Sequence, residues 1–155
     1  MFLDDYGFCV PKGHLIFAVK APDNAHITLS NDKLSTKTIE IVIGGYGNIN
    51  SAIREYFQQS PPVTYYENRW NEGFLQYNQF KEFWITWDRI SYMLQGGDEG
   101  GESWVRDTAT HNISVGTGTV LGVNRFLTAT IEQDIYYVGV STGSWATGEW
   151  IFADG

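Results

Sequence analysis

A two-residue rhythm limits this chain more than any other feature. Ile39, Ile41 and Ile43 are separated by Glu40 and Val42, and Ala25, Ile27 and Leu29 alternate with His26, Thr28 and Ser30. Successive side chains of an extended chain point to opposite faces, so the alternation predicts strands with one apolar side turned inward. Lys81-Glu-Phe-Trp-Ile-Thr-Trp87 is the strongest such run, with Phe83, Ile85 and Trp87 on one face and Trp84 and Thr86 on the other.

The remaining segments read the same way. Leu15 to Ala21 is a strand closed by turn residues at Pro22-Asp-Asn24, and Gly44-Gly-Tyr-Gly-Asn48 ends the Ile39 strand with glycines that permit positive φ. Ser51 to Phe57 fits either a strand or one amphipathic helical turn. Gln58-Gln-Ser-Pro-Pro62 stops any helix behind it, so a strand is expected. Val63 to Tyr66 and Gly73 to Tyr77 are weaker strand candidates, followed later by His111 to Val115 and Arg125 to Ile131. Gly96-Gly-Asp-Glu-Gly-Gly101 is an acidic loop with no residue that forms a core.

The C-terminal stretch is β-branched or aromatic at almost every position from Ile135 to Thr142, breaks at Gly143, and resumes at Trp150-Ile-Phe152. Strand, turn, strand is the expectation. Both runs are too apolar to face water, so they should be the last two strands of a sheet with covered faces, with Trp145 and Glu149 in or beside the connecting loop.

Strands spaced about 8 to 12 residues apart with turn signals between them predict a single all-β domain over residues 1–155, an antiparallel β-sandwich of jelly-roll type. Less than about a tenth of the chain should be helical. The expected core holds Phe17, Val19, Ile27, Leu29, Ile41, Ile43, Phe83, Ile85, Val138, Val140 and Trp150, with Trp84 and Trp87 also inside.

The net charge of −8 and pI near 4.7 argue against a nucleic-acid partner, which needs clustered Lys and Arg. No apolar run reaches membrane-spanning length, and Met1-Phe-Leu-Asp-Asp5 lacks the basic and apolar regions of a signal peptide; a mature secreted chain would look the same. A lone Cys9 excludes an internal disulfide and a multi-cysteine zinc site.

These landmarks resemble the domain labelled farnesoic acid O-methyltransferase, found in invertebrate proteins and at times beside natterin-type modules. The residues that carry the resemblance are Phe17-Ala-Val-Lys-Ala-Pro-Asp-Asn-Ala-His-Ile-Thr-Leu-Ser30, Ile39-Glu-Ile-Val-Ile-Gly-Gly-Tyr-Gly-Asn48 with Ser51 to Arg54, Phe83-Trp-Ile-Thr-Trp87, Ile113-Ser-Val-Gly116 and Tyr137-Val-Gly-Val-Ser-Thr-Gly143 through Gly148-Glu-Trp150. Residues 91–110 depart from the pattern as an insertion. The resemblance favours an extracellular setting, and its label implies an enzyme.

The residues argue against that enzyme. A methyltransferase cofactor normally sits where a glycine-rich turn follows a parallel strand of a doubly wound sheet. Ile113-Ser-Val-Gly-Thr-Gly118 is the nearest candidate, but no helix signal follows it, and its ordinary reading is a hairpin turn. His14, His26 and His111 have no Gly-x-Ser-x-Gly partner, and the carboxylates form no evident pair.

Binding chemistry is better represented. Asn24 and His26 flank one turn, Asn48 and Arg54 another, and Trp145 offers an indole face beside Glu149. Planar polar groups that bond hydroxyls and an aromatic face for stacking are what sugar recognition needs. The ordinary reading of the same residues is turn capping, a surface ion pair and an aromatic covering one end of the sandwich. Asp98, Glu99 and Glu102 offer oxygen ligands to calcium or are simply a solvated acidic loop. The expectation is a non-catalytic, lectin-like module, with a protein-interaction module as the alternative and a methyltransferase-associated domain as a third reading.

Overall fold

The computed structural model describes residues 1–7, 13–34, 36–57, 61, 63–68, 73–90, 92–95, 102–105, 110–143 and 147–153, and the side chains of 64–68, 92–95 and 102–105 lie outside that description. Among the described residues twelve strands follow a short 3-10 turn at Leu3–Tyr6: β1 (His14–Lys20), β2 (Ala25–Ser30), β3 (Lys37–Gly44), β4 (Asn50–Phe57), β5 (Val63–Asn68), β6 (Lys81–Arg89), β7 (Tyr92–Gln95), β8 (Glu102–Val105), β9 (Thr110–Thr117), β10 (Arg125–Glu132), β11 (Tyr137–Thr142) and β12 (Glu149–Phe152). They form two antiparallel sheets, β10-β9-β6-β1-β12 and β11-β2-β3-β4-β5, and a small hairpin of β7 with β8.

β1 and β2 are consecutive yet lie in different sheets, and so do β11 and β12. β1 pairs with β12 and β2 with β11, so a two-stranded ribbon crosses from one sheet to the other. That winding is of jelly-roll type, with β3, β4 and β5 filling one sheet and β6, β9 and β10 the other. The fold class read from the sequence is the one observed.

The alternation places the core. Ile27, Leu29, Ile39, Ile41, Ile43 and Ile53 face Leu15, Phe17, Val19, Phe83, Ile85, Ile113 and Val115 across the sandwich, all essentially buried. Phe17 and Phe83 stack at 5.8 Å between centroids and Trp150 lies 5.6 Å from Phe17.

The C-terminal stretch does not follow expectation. β11 and β12 are not neighbours under cover; each is the outermost strand of a different sheet. The edge of β11 is protected by the N-terminal arm, since Val140 N donates to Met1 O at 2.9 Å and Phe2 bridges Gly139. β12 is only half covered: Trp150 and Phe152 rest on the core, Glu149 is exposed, and Ile151 is 54% exposed.

Trp84 also departs from expectation. It is buried, but on the outer face of its sheet rather than between the sheets. Its Nε1 donates to Val123 O at 2.8 Å, and the loop between β9 and β10 closes over the indole. Gly116 makes the room, because a Cβ there would stand 2.3 Å from the Trp84 ring. The Ile113-to-Gly118 motif is therefore strand β9 plus a turn at Gly118, whose φ of 84° suits glycine.

Gly73 to Tyr77 forms no strand. Gly73 is left-handed at φ 77°, and this loop inserts Leu75, 2% exposed, into the core. The stretch 91–110, expected as an insertion, contributes β7 and β8, while the acidic residues Asp98 and Glu99 lie outside the described residues.

Candidate functional site

On the outer face of the β2-β3-β4 region the register sets His26 beside Val42 and Val42 beside Ala52, and one step along the strands sets Thr28 beside Glu40 and Glu40 beside Arg54. The first row is small and apolar at its centre. The second is charged. Above the first row the turn between β3 and β4 rises as a rim, leaving a cleft of about 320 Å³ lined by Asn24, His26, Val42, Gly45, Tyr46, Asn50, Ser51, Ala52 and Arg54. That volume lies at the lower end of small-ligand sites, about 300 to 1,000 Å³.

The rim is an unusual piece of backbone. Gly44, Tyr46, Gly47 and Asn48 all take left-handed conformations, with Tyr46 at φ 50° and ψ 49°. A tyrosine there is strained by roughly 1 to 2 kcal/mol relative to right-handed backbone. Hydrogen bonds hold the segment in place. Asn48 Nδ2 donates to Leu75 O at 2.7 Å and its Oδ1 accepts from Leu75 N at 3.1 Å, so the amide is clamped on one residue's backbone. Gly44 N donates to Ser51 Oγ, and Asn24 N donates to Gly44 O. The outcome is Tyr46, 78% exposed, at the mouth of the cleft.

Glu40 organises the charged row. His26 Nδ1 donates to Glu40 Oε1, and Arg54 Nη2 reaches the same oxygen at 3.2 Å. The guanidinium also lies 5.3 Å from the centre of the Tyr56 ring. Burial by itself would raise the Glu40 carboxyl. The hydrogen bond from His26 and the charges of His26 and Arg54 outweigh it and hold the group below the usual carboxylate range. Burial, then the Glu40 charge, pushes the Tyr56 hydroxyl up.

The residues singled out in the sequence thus separate. Asn24, His26 and Arg54 converge on the cleft. Asn48 lies just beneath its rim with its amide committed to Leu75. Glu149 is not among the lining residues and pairs with Lys20 at 2.7 Å on the other sheet. Trp145 lies outside the described residues, and so do the side chain of Glu102 and all of Asp98 and Glu99. No group of three or more His, Cys, Asp or Glu side chains that could hold a metal ion occurs among the described residues, and no described helix is long and apolar enough to cross a membrane.

Sequence reasoning missed Tyr46, Asn50 and Glu40. The signal for Tyr46 was an aromatic inside a run of turn glycines, Gly44-Gly-Tyr-Gly47, where left-handed backbone costs a tyrosine more than a glycine. Glu40 was visible as the lone acid on the outward side of β3, between the positions that carry His26 and Arg54 on its neighbours.

Fold and cleft define a class: a β-sandwich module of jelly-roll type with a small, half-polar cleft at the loop end of one sheet. The chain belongs to the farnesoic acid O-methyltransferase family, which it matches over residues 4–155. No curated protein and no solved structure gives a significant match.

Proposed function

We propose that this domain is a non-catalytic binding module that recognises carbohydrate in the Asn24–His26–Tyr46–Arg54 cleft. The observation that carries the reading is Tyr46: an exposed aromatic held in strained backbone over a cleft lined by two amides, an imidazole and a guanidinium. A pyranose offers a C–H face to stack on a phenol ring and hydroxyls for planar donors and acceptors, so the parts match in kind and in volume. Asn48 serves by holding the rim. Trp145 and Glu149, singled out in the sequence, remain candidates for the outer part of a longer glycan, although Glu149 already pairs with Lys20 on the other sheet.

The family name is that of an enzyme. An antiparallel sandwich offers no parallel strand leading into a helix N-terminus, the feature that normally receives such a cofactor, so the name supports a methyltransferase-associated role less well than a binding one.

A second reading, protein interaction, is favoured by one observation. The loop between β9 and β10, which covers Trp84, exposes Val120, Leu121 and Val123 at 62%, 40% and 48%.

A glycan array with the intact chain tests the first reading, with Tyr46→Ala and His26→Ala as controls. Binding that falls at least about tenfold in both variants is expected, equivalent to about 1.4 kcal/mol. Binding to no glycan, or binding that neither change weakens, rejects the reading or its placement.

A further inference from the structure

We infer that the cleft selects uncharged sugars over acidic ones and that Glu40 is the residue that sets this choice. The inference rests on the carbohydrate reading of the same cleft and adds the chemical class of the ligand.

An arginine and a histidine lining one cleft would ordinarily mark an anion site, since both present planar donors to carboxylate or phosphate. Here those donors are already directed at an anion. His26 Nδ1 and Arg54 Nη2 both reach Glu40 Oε1, and the Glu40 side chain is only 13% exposed. Arg54 Nε is buried without a hydrogen-bond partner among the described residues, so the guanidinium cannot offer its Nε edge to a ligand carboxylate. At the other end of the cleft Asn24 Nδ2 donates to Asp23 Oδ1 at 3.0 Å, which keeps a second carboxylate at the rim.

The charges therefore do not favour an anion. His26 and Arg54 both face Glu40, Asp23 adds a second carboxylate at the rim so that two acids stand against the two basic groups, and the net charge of −8 repels anions at longer range. An incoming uronate or sialate would be desolvated beside Glu40, and the basic residues among the described lining, His26 and Arg54, are both already directed at that carboxylate. A hydroxyl needs no counter-charge. His26, with Nδ1 used by Glu40, has Nε2 left to exchange a hydrogen bond with a hydroxyl, and Asn24 turns Oδ1 toward Gly45 at the cleft wall. Glu40 thus acts as a positioning residue: it orients the imidazole and cancels the guanidinium.

The test is titration of the intact chain with methyl glucoside, galactoside and mannoside, each against its uronic acid counterpart. The native protein should bind at least one hexoside at least about tenfold more tightly than the matching uronate. Glu40→Gln keeps the shape and removes the counter-charge, so it should narrow that ratio at least about tenfold and make uronate binding weaken with added salt. Arg54→Gln should move the ratio the other way, which keeps the test decisive if Glu40→Gln fails to fold. A uronate that binds the native chain as tightly as its hexoside, or a ratio unmoved by both substitutions, overturns the inference and leaves the carbohydrate reading standing. If neither class of sugar binds, the carbohydrate reading itself fails and takes the inference with it.

Discussion

Outside the β1-containing sheet, the Trp84 indole fills the space above Gly116 and the β9–β10 loop closes over it; outside the β2-containing sheet, the corresponding loop stands up on left-handed residues and the space below it stays open. Both faces use glycine and one aromatic ring. On one the ring is turned in, bonded to Val123 and buried; on the other Tyr46 is turned out and strained. The first arrangement contributes stability through burial, and the second forgoes it. That contrast is what the proposed ligand site rests on, and the strained, exposed Tyr46 persists because the Asn48 clamp and the glycines around it over-determine its backbone.

The largest expected effect breaks the filled side. Trp84→Ala should destabilise the fold by about 3 to 5 kcal/mol in a denaturant titration, since it removes a buried indole and its hydrogen bond. Trp150→Ala, from the half-covered edge strand, should cost less than Trp84→Ala in the same assay. Equal losses would mean that the outer-face indole is no better packed than the edge.

Next in size is the clamp on the open side. Asn48→Ala removes two hydrogen bonds to Leu75 and places alanine at φ 67°, so a loss of about 2 to 3 kcal/mol is expected, together with weaker binding in the cleft. An unchanged denaturation midpoint would show that the rim holds itself.

A pH effect follows. The folded Glu40 carboxyl lies below its ordinary value of 4.5, so the unfolded chain binds its proton more readily. Its contribution is fully present above that value and is lost as pH falls through the folded one. Glu40→Gln should flatten the acid limb of a stability–pH profile below about pH 4.5 relative to the native chain. Parallel limbs would separate Glu40 from acid unfolding.

The smallest effect is the most telling. Tyr46→Gly relieves left-handed strain and should stabilise the fold by up to about 1 kcal/mol, reduced by the extra freedom of glycine in the unfolded chain. The same change should abolish stacking in the cleft. A variant both more stable and unable to bind would set the two outer faces apart as structural and functional; a destabilised one would make Tyr46 part of the scaffold.

How much of this was legible depends on the range of the forces involved. The period-two pattern at Ile27, Leu29, Ile39, Ile41 and Ile43 reports which side of each strand meets water, and that is a local property. Trp84 carried the same parity signal, yet whether its outward face is covered depends on a loop about 39 residues away in sequence. β11 and β12 were recognisable as apolar strands, but being apolar does not say which sheet receives them.

The site divides along the same line. His26 and Arg54 were readable as polar groups near turns; that Glu40 lies between them follows only from the β2–β3–β4 register. By itself the sequence determined an all-β sandwich, its core faces and its turn residues, because alternation and glycine act within a few bonds. Only the tertiary structure decided which sheet each terminal strand joins, which indole is covered, and that Asn24, His26 and Arg54 share a cleft while Asn48 and Glu149 spend their polar groups on Leu75 and Lys20, because those outcomes depend on pairings between segments that no local pattern records.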